Sequence, residues 1–498
     1  MQRTKKFLVG LLAALSVFAG LLGLAACVGN ESLIDKGATE NLHYQKIAGK
    51  EEYCVSGLGL AEESDIVISS MYKGLPVTEI GSNAFNGCAS LTSIVVPDSV
   101  TSIGDYAFAD CRSLTSFVIP DSVISIGDSA FHFCYQLTSV VIGDSVTSIG
   151  DKAFDSSSKL KSITIPDSVI SIGNYAFSGC SGLTSVTMPT IAIKYIPQMN
   201  LQTVILTSGD SVWERAFYGC KSLTNITIPD SITSIGNYAF SGCSGLTSVY
   251  IPKGVTSIGE DVFYACESLK SISVSGENTA YASRDGVLYN KAKTEIVLIP
   301  AKITGTVEIA YGVISIGDYA FFGCEGLTRV IIPDSVTSIG NSAFYSCDNL
   351  TSIVIGDNVT SIGEYAFDSC HSLTNITCSV FALSYVKKDV LQTVMITSGD
   401  LIDNRAFFNC KSLNSVVIGD GVKTIGDEAF YDCDNLTSVV IGKNVTCIGS
   451  YAFCGCKNLK SITFNGTLEE WNAIENGNSW RYGVPATKVV CSDWAEAI

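Results

Sequence analysis

The chain has 498 residues, 47% hydrophobic and 16% charged, with a formal net charge of −17. This composition supplies ample material for a core and excludes a disordered polymer, while so acidic a body argues against nucleic acid as a partner and against lying flat on anionic lipid. The length alone suggests several globular domains, but a unit that recurs down most of the chain removes any reason to cut it there, and one long domain is expected.

Residues 1–26 read as a targeting segment: Arg3, Lys5 and Lys6 precede an apolar run from Phe7 to Leu24, and Leu24, Ala25, Ala26 and Cys27 follow. The stretch LAAC resembles the lipobox of bacterial lipoproteins, which implies that Cys27 is diacylated, becomes the mature N-terminus and holds the chain outside a membrane. Two acyl chains are enough for stable attachment, at about 0.8 kcal/mol per buried CH2. No other stretch is long and apolar enough to span a bilayer. Residues 27–53, mixed in polarity and without periodicity, are read as a tether.

From residue 54 to 466 a 23-residue unit dominates; its plainest copy, from Ile119 to Leu137, is IPDSVISIGDSAFHFCYQL. Its phenylalanine recurs in fourteen regular copies, from Phe85 to Phe453, and a fixed period of this size means stacked turns of a solenoid. Leu stands six residues after each Phe, followed by two polar residues and an apolar, variable, apolar triplet, as in LTSIVV from Leu91 to Val96. That alternation predicts a short strand with Ile94 and Val96 turned inward. Pro97, Pro120, Gly143 and Pro166 end such strands, because proline cannot donate to a continuing ladder. A second short strand, VTSIG, forms another wall, with its glycine (Gly104 in one copy) supplying a turn. The next residues predict one helical turn that carries Ala and Phe inward. The position three before Phe is mostly Ser, Asp or Asn (Asp105, Asp128, Asn174), the residues that cap helix starts.

Thirteen of the nineteen cysteines lie three residues after a repeat Phe, from Cys88 to Cys456, with Ser157 the exception. One small thiol per layer predicts a buried ladder between Phe and Leu rather than disulfides. Phe108, Cys111 and Leu114, and Phe131, Cys134 and Leu137, are two successive rungs. So many thiols in an exported chain point to a weakly oxidising habitat.

The segment PDSVTSIGDYAFADCRSLTS, from Pro97 to Ser116, resembles the BspA-type leucine-rich repeat of bacterial surface proteins, in which Ile, Gly, Ala, Phe, Cys and Leu recur together at fixed offsets. The opening from Cys54 to Phe85 and the ending NGTLEEWNAIENG, from Asn465 to Gly477, resemble that family too. The last is read as the start of a C-terminal cap over 467–498, with Trp471 closing the apolar end. The resemblance implies an α/β leucine-rich-repeat solenoid, β-rich overall, in which short parallel strands stack one per turn beside short helical turns. It also implies exposure at the bacterial cell surface, where some members are adhesins for host matrix proteins or other cells.

Three irregular inserts interrupt the period. The gaps from Phe177 to Phe217 and from Phe367 to Phe407 are each 40 residues and resemble one another: Tyr195, Leu201, Gln202, Thr203 and Val204 align with Tyr385, Leu391, Gln392, Thr393 and Val394. Each is expected to add a short turn plus a loop. The third gap, from Phe263 to Phe321, contains DGVLYNKAKTEIVLIP from Asp285, a hairpin with its turn near Asn290 to Lys293.

On the LxxIxI strands the outward positions are mostly Ser or Asn and Val or Thr, with Arg329, Tyr250, Ser273 and Ile331 as exceptions. Such rows satisfy cross-strand pairing, and they equally make a flat contact face for an extended ligand. Loops on a rigid scaffold carry recognition, so Tyr195, Tyr385, Tyr281 and Tyr289, with Tyr250 and Arg329 on the sheet face, are the candidate ligand-binding residues. Tyr195 and Tyr385 serve equally well as packing over an irregular turn.

No chemistry stands out. His43, His132 and His371 are isolated, phosphate loops and nucleophile elbows are missing from the sequence, and Cys454 with Cys456 form only a CxC. A catalytic carboxylate should be singular, whereas these acids recur with the repeat. Neither catalysis nor a cofactor nor a metal is expected. The sequence points to a non-enzymatic, lipid-anchored surface protein that touches the membrane through its anchor only and binds a protein or glycan. The other reading is a structural, self-associating component of the envelope.

Overall fold

The structure, a computed structural model, describes residues 34–493 and 495–497; the targeting segment and Cys27 lie outside the described residues. The alternating LxxIxI segments form one wall. Ser116–Val118, Ser139–Val141 and Ser162–Thr164 pair in parallel, with Ser116, Ser139 and Ser162 side by side, so neighbouring strands are related by one repeat. Period-2 alternation buries Val140 and Ile163 and leaves Val118 and Val141 exposed. This wall runs as a six-stranded sheet in the N-terminal half and a ten-stranded sheet in the C-terminal half. The VTSIG segments supply the opposite wall, two residues per layer, as in Ser102–Ile103 and Ser125–Ile126. Gly104 is needed there for close approach rather than for a turn: a Cβ on it would lie 2.6 Å from the Ser82 nitrogen of the adjoining layer.

The third side departs from expectation. The residues from Gly104 to Cys111 form no helix. Ala107, Ala109 and Cys111 donate to carbonyls three residues back, closing tight turns, while Tyr106, Phe108 and Asp110 donate to Asp128, Ala130 and His132 of the next layer. Half the amides thus bond along the rod, which a helix would direct inward on itself. The conformation requires left-handed backbone at Tyr106 (φ 57°) and Asp110 (φ 60°). The acids three before Phe therefore cap no helix. Asp105 Oδ1 accepts from Asp128 N at 2.8 Å, Asp128 Oδ1 from Asp151 N at 2.7 Å, and Asp151 Oδ1 from Asn174 N at 2.6 Å. The same side-chain chemistry that caps helices here ties layer to layer.

Inside, Phe85, Phe108, Phe131, Phe154 and Phe177 form a continuous stack with centroids 5.1–5.3 Å apart. Where one regular layer follows another, the thiol donates to the Phe carbonyl one layer back: Cys111 to Phe85 at 3.1 Å and Cys134 to Phe108 at 3.2 Å. Ser157 makes the same bond to Phe131 at 3.3 Å, which explains why serine is accepted there. The thirteen ladder cysteines, from Cys88 to Cys456, are free thiols. Leu114 and Leu137 are wholly buried beside them.

The inserts add a strand without adding a Phe. Thr203–Leu206 pairs between Ser185–Met188 and Asn225–Thr227, so the sheet passes through the insert unbroken while the Phe stack stops. A short 3-10 helix, Thr190–Tyr195, stands in the first insert and one helical turn, Val380–Leu383, in the second. The hairpin region pairs Val287–Asn290 antiparallel with both Tyr281–Arg284 and Glu295–Leu298. It parts the interior into two hydrophobic clusters, one ending at Leu288 and the other starting with Val287, Tyr289 and Ile296.

Both ends are closed. The segment expected to be a tether is folded from residue 34: His43–Lys46 pairs antiparallel with Tyr53–Gly57, Leu42 is buried, and Tyr44 stacks on Tyr72 at 4.4 Å. The open edge of the first layer needs covering, and a single cap has no period to betray it in the sequence. At the other end Trp480 takes the place of the next Phe, edge-on to Phe453 at 6.1 Å and accepting its N–H at 2.7 Å. Glu475–Asn476 and Lys488–Val490 continue both walls, so a further, degenerate layer follows residue 466. The helix Leu468–Asn472, capped by Thr467, buries Trp471 over it. Among the described residues no helix is long and apolar enough to cross a membrane.

Candidate ligand-contact surfaces

The sheet wall presents a regular outer face of small and β-branched side chains, interrupted by larger residues, among them Tyr250, Arg329 and Met395. Tyr250 is half exposed and sits opposite Ser273, and Arg329 is exposed between Thr306 and Ser352. Both project from rigid, paired backbone, which lowers the entropy lost on binding.

The two insert tyrosines differ. Tyr195 is half-buried against the core with Lys194 Nζ 4.7 Å from its ring, and it lines an open groove of about 920 Å³ together with Tyr175, Lys152 and Asp151. Tyr385 is 43% exposed and leans on Phe381 at 5.3 Å. Three layers from Phe217 to Phe263 and three from Phe321 to Phe367 stand between the inserts, so these tyrosines do not form one site.

The hairpin tyrosines do not face a ligand. Tyr289 is only 8% exposed, and the Tyr281 hydroxyl accepts from Ile258 N at 3.0 Å, tying the hairpin to the preceding layer. Burial pushes the ionisation of both phenols up. The solenoid interior has to be closed where a Phe layer is missing, and these rings help to close it.

The turn edge carries a surface that the sequence reading overlooked. Tyr106, Tyr175, Tyr238, Tyr319, Tyr365 and Tyr451 all occupy the left-handed position two before Phe. An L-residue there costs about 1–2 kcal/mol relative to its ordinary backbone, and a bulky one is unusual. Yet Tyr175 is 68% and Tyr365 63% exposed, so burial does not offset the strain. Beside this row, Phe408 stacks on Tyr431 at 5.2 Å and Phe322 on Tyr345 at 5.6 Å. Arg215 and Arg405 reach over Tyr238 and Phe408 at 5.4 and 5.5 Å. The available signal was tyrosine recurring at one repeat position without an apolar period to bury it.

The thiols are inert by location. Burial pushes Cys134, Cys180, Cys266 and Cys324 up to about 12, far from nucleophilic thiolate. Among the described residues no group of three His, Cys, Asp or Glu is arranged to hold a metal ion.

A family model described as a BspA type leucine-rich repeat region, in six copies, matches residues 78–203, 198–305, 301–401 and 384–477. The chain belongs to the BspA-type leucine-rich repeat family. Three solved structures are similar to this BspA-type chain. A leucine-rich cell surface protein from Faecalibacterium prausnitzii A2-165 is 28% identical, covers 88% of this chain and 96% of its own, and has a TM-score of 0.33. A leucine-rich repeat protein from Bacteroides ovatus is 27% identical over 91% of this chain and 94% of its own, with a TM-score of 0.28. The leucine-rich repeat protein of T. pallidum is 30% identical over 41% of this chain and 88% of its own, with a TM-score of 0.33. No curated protein matches the chain. Membership in the BspA-type family thus rests on the repeat itself, whose Phe, Cys, Leu and Asx positions each have a structural task in the stacked layers.

Proposed function

We propose that this chain is a non-enzymatic, lipid-anchored protein of the bacterial cell surface that binds a macromolecular ligand, a protein or glycan of a host, a matrix or a neighbouring cell. The lipobox-like Cys27 is the proposed anchor, and the acidic solenoid stands off from the membrane. The observation that carries the reading is the row of exposed tyrosines held in left-handed backbone along the turn edge. Tyrosine at this strained position in six of the fourteen layers, exposed at Tyr106, Tyr175, Tyr365 and Tyr451, makes sense as contact surface. The membrane contact is through lipid alone, and nucleic acid is not the ligand of so acidic a body.

Self-assembly is the weaker reading. The antiparallel strand His43–Lys46 covers the N-terminal end of one wall and Ala495–Ala497 the C-terminal end of the other, and covered edges disfavour head-to-tail stacking. The deciding experiment presents the purified mature chain to an array of glycans and of mucin and matrix proteins, beside sedimentation at rising concentration. A monomer that binds one class of array feature is expected, with binding weakened by Tyr175→Ala, Tyr365→Ala and Tyr385→Ala. Concentration-dependent assembly without array binding would sink the proposal.

A further inference from the structure

At the hairpin the two halves of the solenoid fail to close on one another. Phe263 ends one stack, 5.7 Å from Phe240, and Phe321 begins the next, 4.5 Å from Phe344. The amide that donates to the Ala320 carbonyl is that of Ile299, at 2.8 Å, where a regular layer would use the preceding repeat Phe. A missing aromatic layer should leave a gap, and a cavity of about 560 Å³ lies there. That volume suits a small ligand or one long side chain.

Its lining is divided. The floor is apolar, with Phe263, Leu288 and Leu298. The rim is aromatic: Tyr264 and Phe322 lie 4.4 Å apart, and Tyr319 stands 6.2 Å from Phe322. Carboxylates complete it, among them Glu260, Asp261, Glu295 and Asp318, while no lysine or arginine lines the cavity. None of these four acids is in an ion pair among the described residues, although elsewhere on the molecule acids are paired, as Arg405 with Glu428 and Lys411 with Asp434. Among the described residues Asp261 Oδ1 is cut off from solvent and has no hydrogen-bond partner, the Tyr238 hydroxyl bonding elsewhere on the same carboxyl, and such an atom is unfavourable unless something supplies a donor. Burial first, then the charge of Glu260, holds this carboxyl above the ordinary range.

We propose that this cleft binds an alkylammonium group, with the methylene stem on the apolar floor and the cationic head among the aromatic faces and carboxylates. Asp318 is already held by Asn341; a free ammonium ion would leave the floor unfilled, and an uncharged alkyl chain would leave Glu260, Asp261 and Glu295 without a counter-charge, whereas a stem with a cationic head meets both. A lysine side chain of a bound protein and a free diamine share this chemistry. The inference is independent of the adhesive reading: an array without hits leaves it standing, and array binding does not prove it.

The test titrates the full chain by calorimetry, at about 0.15 M salt to screen diffuse attraction, with pentane-1,5-diamine, a short lysine-containing peptide and the same peptide with norleucine. Saturable binding of the diamine, the lysine peptide or both is expected, and none of the norleucine peptide. Diamine alone identifies a free amine as ligand; the lysine peptide alone identifies a macromolecular side chain. The near-isosteric pair Asp261→Asn and Glu295→Gln, and separately the partly exposed Tyr264→Ala, should each weaken binding by about tenfold or more, a loss equal to about 1.4 kcal/mol. Glu62→Gln with Glu63→Gln, in an N-terminal loop, should change nothing. Absence of saturable binding to either ammonium probe, or equal losses from the loop pair and the cleft pair, would overturn the proposal.

Discussion

The layers from Phe85 to Phe177 and the inserted layer that follows them share a wall and little else. In the regular run each layer is held by sheet pairing, a Phe stack, a thiol bond and an Asx bond along the rod. The inserted layer keeps only the sheet, through Thr203–Leu206, and replaces the interior ladder with a side chain: Gln198 Nε2 donates to the Ala216 carbonyl at 2.7 Å, and its Oε1 accepts from the Cys220 thiol at 3.4 Å. The second insert has Lys388 at that place, its Nζ 5.9 Å from the centre of the Phe407 ring. Backbone pairing of the wall thus survives the insertion where the interior ladder does not. The turn edge can be rebuilt, because the polar groups freed there find substitutes.

The largest way to sharpen this contrast is alkaline pH, because regular layers carry thiols and the inserted layer carries none. Burial raises Cys134 and Cys180 from 9.0 to about 12. A folded-state value above the unfolded one gives stability that is complete below pH 9 and is lost as pH rises toward 12. At pH 10 the loss is about 1.4 kcal/mol for a thiol so shifted, and the sum over Cys134, Cys180, Cys266 and Cys324 should loosen their layers well before pH 12. Hydrogen exchange against pH checks this, and Cys134→Ser should flatten the dependence locally. Exchange insensitive to pH between 9 and 11 would contradict the buried ladder.

Phe131→Ala should come next, at about 3–5 kcal/mol, read as a lower urea midpoint and as faster exchange in the layers of Phe108 and Phe154. Tyr195→Ala, in the layer without a stack, should cost far less. Equal losses would mean that the inserted layer hides an aromatic dependence of its own. Gln198→Leu should cost about 1–3 kcal/mol by leaving the Ala216 carbonyl short of its donor, with exchange rising near Ala216 while the sheet at Val204 stays protected. The smallest effect is expected at the Asx ladder: Asp128→Ala should lose about 1 kcal/mol and Asp128→Asn almost nothing, since Asn174 and Asn237 already occupy the same position. Thermal unfolding distinguishes the two.

Several site residues were legible before the fold was known and several were not. Arg329 and Tyr250 could be placed on the outer sheet face because period 2 decides which side a strand residue faces. Tyr281 and Tyr289 could not be assigned a side, since their strands belong to a hairpin whose exposure depends on the layers at either end. The turn-edge tyrosines escaped notice because the segment looks like a helix start, and only the bonds from Tyr106 and Phe108 to the next layer show that it is not one.

By itself the sequence determined the period, and with it the register: a 23-residue step brings like onto like, so Phe, Cys and Leu meet their own kind wherever the copies are regular. Only the tertiary structure decided what happens where the step fails, because those outcomes depend on groups of different layers meeting. The closed ends, the buried hairpin tyrosines, the strained aromatic edge and the cavity beside Phe263 all arise from contacts that no local pattern records.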